Sequence, residues 1–148
     1  MTSTGTTGHP QLLQTVIDAV DVRAVAEFYR QLLGYAYRPG DEPGAGDDPD
    51  ADDPRWLVLR DANGTNRLAF QFAERVEPTT WPAPDVPMQM HLDCTVAGRE
   101  ELEQQRAFAE SLGARLLVDD SHDADEPLYV MADPAGHPFC LFVPEGAG

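Results

Sequence analysis

The side chains of this chain best suited to chemistry are its four histidines and two cysteines, and one of them sits in a telling place. Met88 to Val96 alternates in period 2 between Pro87 and Gly98, as a strand with two unlike faces does. His91 and Asp93 share one face; Leu92, Cys94 and Val96 share the other. An imidazole beside a carboxylate suits a general base or a metal ligand, and equally a hydrogen-bonded strand residue. Cys140 lies between Phe139 and Leu141 and reads as a buried small hydrophobe rather than a nucleophile. His137 follows a turn glycine and precedes Pro138, so turn structure accounts for it as well as chemistry does. His9 and His122 lie in polar tail or loop sequence and receive no role. There is no phosphate-binding glycine loop, dinucleotide fingerprint, serine elbow or paired-cysteine motif.

Two similar sets of elements are available to position these groups. Leu12 to Ala19 reads as a strand with Gln14, Val16 and Asp18 on one face, and Asp21 is placed to cap the helix after it. Apolar residues from Val22 to Leu33 recur at helical spacing and stop at Gly34. Short strands follow at Tyr35 to Arg38, Trp56 to Arg60 and Arg67 to Phe72, the last two joined by the turn Asp61 to Gly64. Prolines 78, 82, 84 and 87 around Trp81 predict a stiff, extended linker over 77–87. The order then repeats: a strand at Met88 to Val96, a helix at Glu100 to Leu112 closed by Gly113, and strands at Arg115 to Val118, Leu128 to Ala132 and Pro138 to Val143. Both helices end in Leu-Gly and both third strands end in Asp-x-x-Gly, so the chain reads as an internal β-α-β-β-β repeat. Two such α+β modules are expected to pair edge to edge and curve around a shared cleft.

Composition narrows the partners. A net charge of −16 would repel nucleic acid and anionic membrane surfaces. No apolar run approaches the length of a membrane span. Residues 1–10 form a Thr/Gly-rich tail without the features of a secretion signal. The Pro/Gly/Asp-rich segment 40–54 reads as a solvated loop rather than a calcium site, because it lacks an EF-hand's closing glutamate. Two cysteines are too few for a disulfide scaffold, which points to a cytoplasmic protein. The expected organisation is one domain over 11–144, with module one at 11–76 and module two at 88–144.

Glu27 to Gly34, Trp81 to Asp93 and Asp133 to Leu141 resemble the vicinal-oxygen-chelate superfamily, the paired βαβββ group of glyoxalases, bleomycin-resistance proteins and extradiol dioxygenases, in its glyoxalase-like branch. The resemblance spans Gln11 to Val143 apart from the acidic insert. It implies a curved mixed sheet around a cleft, with metal ligands, where metal is used, from the first and fourth strand of each module. By position these fall on Gln14, Gln71, His91 and Cys140. That set offers at most one negative charge, on Cys140, so it is poor for hard divalent ions, although Asp18 and Asp93 lie on the same predicted faces. The expectation is therefore no cofactor, with a divalent metal as the alternative. A Cys140–His91 dyad is compatible with the fold, but nothing marks an oxyanion hole.

The resulting functional expectation is a protein that binds a small organic ligand, aromatic or antibiotic-like, in the cleft, as a monomer or homodimer. Gln14, Gln71, His91, Cys140, Trp56, Trp81, Tyr129 and Met131 are its expected wall residues. The alternatives are a metal-dependent lyase or isomerase, and a metal-free hydratase or dehydratase with His91 as base.

Overall fold

The structure is a computed structural model in which residues 8–45 and 53–146 are described. Residues 46–52 of the acidic segment and most of the N-terminal tail therefore lie outside the described residues.

Module one runs β1 (Thr15–Ala19), α1 (Val22–Leu33), β2 (Ala36–Tyr37), β3 (Trp56–Arg60) and β4 (Asn66–Phe72). Module two runs β5 (Leu92–Thr95), α2 (Arg99–Ser111), β6 (Arg115–Asp120), β7 (Leu128–Ala132) and β8 (Pro138–Phe142). Each module is a four-stranded mixed sheet with its first strand at one edge, paired parallel to its last: β1-β4-β3-β2 and β5-β8-β7-β6. This is the α+β pair of βαβββ units that the repeat predicts.

Local chemistry explains the elements. The Asp21 side chain accepts from the Ala24 amide, satisfying an orphan donor of the first turn of α1. Gly34 ends that helix with φ of 69°, where a Cβ would be strained. The apolar stripe of α1 places Phe28 and Tyr29 between the two sheets. Tyr29 stacks on Phe70 of β4 at 5.9 Å and meets Phe139 of β8 at 6.2 Å. One hydrophobic cluster therefore runs through both modules and includes Leu102 and Ala109 of α2.

Two expectations change. The strand expected from Met88 begins only at Leu92, because Gln89 adopts φ of 55° and the Met90 amide turns back to the Met88 carbonyl. His91 thus stands at the mouth of β5. The 77–87 segment is also no extended linker. Thr80 and Val86 close it on themselves by main-chain and side-chain hydrogen bonds, and the Thr79 amide ties it to Gly136. The prolines fix φ, but the threonine hydroxyls supply the partners that fold it back.

Candidate functional site

β5 and β8 bring together three donors of different kinds. Asp93 pairs directly with Cys140 across the parallel ladder, so their side chains lie on the same face. His91 precedes Asp93 by two residues, and its Nε2 is 3.1 Å from the Asp93 carboxylate. The donor atoms of His91, Asp93 and Cys140 all lie within 4.8 Å of one another. His91 and Asp93 are open to solvent, whereas Cys140 is buried beneath them. Burial and the Asp93 carboxylate push the Cys140 thiol up to about 12, so it is a thiol and not a ready nucleophile.

Module one supplies a different set. Both hairpins carry the same turn bond, Asp61 amide to Thr65 carbonyl and Asp133 amide to His137 carbonyl. Counting outward, Leu59–Leu68 matches Met131–Phe139, and Val58–Ala69 matches Val130–Cys140. Across the parallel ladders, Val16–Ala69 matches Asp93–Cys140. Gln14 is therefore the counterpart of His91, Val16 of Asp93 and Ala69 of Cys140. Gln71 matches Phe142 instead, two residues beyond Cys140; a β-bulge at Arg67 makes Ala69, rather than Leu68, the counterpart of Cys140.

The two glutamines are occupied elsewhere. Gln14 accepts from the Asn66 amide at 3.1 Å, and Gln71 donates to the Asp18 carboxylate at 2.6 Å. Gln71 is opposite Asp18, which is four residues along the strand from Gln14, or about 13 Å. The structure thus joins His91 and Cys140 to Asp93 and leaves Gln14 and Gln71 apart from each other.

Two cavities of about 530 Å³ each open where β1 faces the β5 edge. One is walled by Leu12, Gln14, Arg67 and Asp93. The other is walled by Val16, Asp18, Met88, Met90, His91 and His137. Trp56, half-exposed beside Gln71, and Trp81, in the folded-back loop, line neither. Tyr129 and Met131 are corrected outright: both are buried in the core on the helix-facing side of β7. The Tyr129 hydroxyl donates to Glu103 of α2, and the Arg106 guanidinium sits 4.9 Å above its ring. The hairpin carried the signal for this. Residues equidistant from its turn share a face, so Val130, and not Tyr129, accompanies Cys140.

A second network lies outside the sequence expectations. Asp133 is buried and accepts from the Tyr29 hydroxyl at 2.8 Å, His137 Nδ1 at 2.7 Å and the Ala135 amide at 2.8 Å. Its Asp-x-x-x-His spacing around a turn was the legible clue. Burial acts to discharge the His137 ring, but the Asp133 hydrogen bond and charge, helped by the nearby main chain and carboxylate of Asp18, outweigh it and raise its pKa. Its Nε2 is enclosed without a well-aligned hydrogen-bond partner. Tyr29 is held well above the usual phenol range by burial and by the Asp133 charge.

The geometry can be set beside known proteins. A comparison with curated proteins finds no match. Among solved structures, a protein from Agrobacterium tumefaciens has 20% identity and a TM-score of 0.63, covering 93% of this chain and 99% of its own. A glyoxalase/bleomycin resistance protein/dioxygenase family enzyme from Burkholderia phytofirmans has 16% identity and a TM-score of 0.60, covering 90% and 98%. A glyoxalase-related enzyme from Fulvimarina pelagi has 19% identity and a TM-score of 0.59, covering 90% and 87%. At these identities the likeness is one of fold. A sequence-family model, the glyoxalase-like domain, matches residues 14–142. With its paired βαβββ modules, the chain belongs to the glyoxalase-like domain family of the vicinal-oxygen-chelate superfamily.

Proposed function

We infer that this protein binds a small organic molecule in the cavity between β1 and the segment leading into β5. The observation that carries the reading is the composition of that wall. Val16, Met88 and Met90 offer apolar surface, while Asp18, His91 and Arg75 offer a few polar groups to orient a ligand. A volume of about 530 Å³ suits a drug-sized molecule, and methionines adapt their shape to varied ligands. Met90 is 76% exposed, an apolar side chain without a covering partner among the described residues.

Metal-assisted lyase or isomerase chemistry through Gln14, Gln71, His91 and Cys140 fits the geometry poorly. Gln14 and Gln71 are too far apart to share one ion with the others, and Asn66 and Asp18 hold their amides. Two free thiols suit a reducing cytoplasm, which we include in the reading together with a monomer or homodimer of this chain. Among the described residues no helix is long and apolar enough to cross a membrane.

The test is a titration of planar aromatic compounds followed through the methyl resonances of Met88 and Met90. Saturable shifts at both methionines are expected for at least one compound, and weaker binding for Met90→Ser. Shifts confined to other parts of the molecule would overturn the reading.

A further inference from the structure

We propose that His91, Asp93 and Cys140 form a cation site held entirely within module two, matched to a borderline-soft divalent ion such as zinc. It does not depend on the ligand reading above.

The donor types carry the first part of the argument. Imidazole nitrogen, carboxylate oxygen and cysteine sulfur are the three ligand kinds zinc takes, and thiolate with carboxylate would balance its charge. Position carries the second. Asp93 and Cys140 are register partners on adjacent parallel strands, and His91 joins them from the same face. Their donor atoms, within 4.8 Å of one another, need to close by only about an ångström to reach tetrahedral ligand spacing. His91 has the freedom to do so, since it follows the Gln89 turn rather than sitting within the strand. The cation would take the place of the contact between His91 Nε2 and Asp93.

The repeat supplies the third part. The equivalent module one positions are Gln14, Val16 and Ala69, none of them a strong zinc donor. An ordinary packing requirement of the fold does not call for His, Asp and Cys there, because the same three positions are filled without them in the other module. Three protein ligands leave one coordination position open, and Asp93 and His91 each line one of the two cavities.

The experiment uses the full chain, stripped of metal under reducing conditions and titrated with cobalt(II) and then zinc(II). One equivalent of cobalt is expected to bind, with sulfur-to-cobalt charge-transfer absorption, and zinc to displace it. The variants are the module one residues: His91→Gln, Asp93→Val and Cys140→Ala. Each is a side chain the same backbone already accepts one repeat earlier, and circular dichroism checks folding. Cys140→Ala is expected to abolish the charge-transfer band and weaken zinc binding by about a hundredfold or more. Gln14→Ala and Gln71→Ala are expected to leave it unchanged. Absence of the charge-transfer band in the wild type, or binding that survives Cys140→Ala, would overturn the proposal.

Discussion

Where module two has His91, Asp93 and Cys140, module one has Gln14, Val16 and Ala69, on strands paired in the same register around the same kind of turn. The difference extends to the turn. Asp133 is buried and holds Tyr29 and His137, while its counterpart Asp61 is partly exposed and serves mainly its own loop amides. Gly136 lies against Pro78, while Gly64 faces open space. Module one's first strand and helix supply a wall with Asp18 and the Tyr29 hydroxyl, and module two carries the His91, Asp93 and Cys140 cluster and the buried Asp133–His137 pair. A shared backbone plan, in other words, does not distribute chemistry evenly over its two halves.

The comparison breaks most readily at the paired aspartates. Asp133→Ala leaves a buried phenol and two partly buried amides without an acceptor, and is expected to cost about 3–5 kcal/mol. Asp61→Ala removes turn bonds that water can replace, for about 1 kcal/mol. Urea unfolding of both variants checks the ratio, and equal losses would remove the asymmetry.

The paired glycines come next. A Cβ on Gly136 would sit 2.4 Å from Pro78 Cβ and 2.7 Å from its Cα, at φ of 97°. Gly136→Ala is expected to cost about 3 kcal/mol, combining left-handed strain with overpacking. Gly64, at φ of 77° with nothing within 4 Å, bears the strain alone, about 1 kcal/mol. Thermal melts of the two alanine variants separate the contributions.

The smallest effect is one of pH. His137 has a raised pKa in the folded protein, so the native state holds its proton more tightly than the unfolded chain does. The stability this contributes is complete below the ordinary histidine value. It declines as pH rises from there through the raised folded value. Its module one counterpart is Thr65, which does not titrate in this range. Melting temperature measured across this window is expected to fall less steeply in His137→Gln than in the wild type.

Much of the fold was readable because local signals agreed. Asp21, Gly34, the helical stripe of α1 and the two Asp-x-x-Gly turns mark element ends by capping and turn chemistry, which act within a few residues. The match of His91 to Gln14 was also readable from the repeat. Parity and register were harder. Gln71 lies two residues beyond the counterpart of Cys140, which the Arg67 bulge makes Ala69 rather than Leu68, and no local feature of the sequence announces a bulge. Tyr129 and Met131 read as cavity wall residues, but hairpin pairing turns them into the core. The Tyr29–Asp133 bond joins residues 104 positions apart, and only tertiary packing brings them together. The start of β5 was misread because Gln89, a residue without strong turn preference, takes a left-handed conformation.

The account's central claim is that the proposed cation site lies within module two alone. The most direct measurement is an anomalous-scattering crystal structure of the wild-type chain soaked with zinc under reducing conditions. One peak is expected, bonded to His91, Asp93 and Cys140, with none beside Gln14, Val16 and Ala69. A peak shared between the modules, or zinc held away from Cys140, would contradict it.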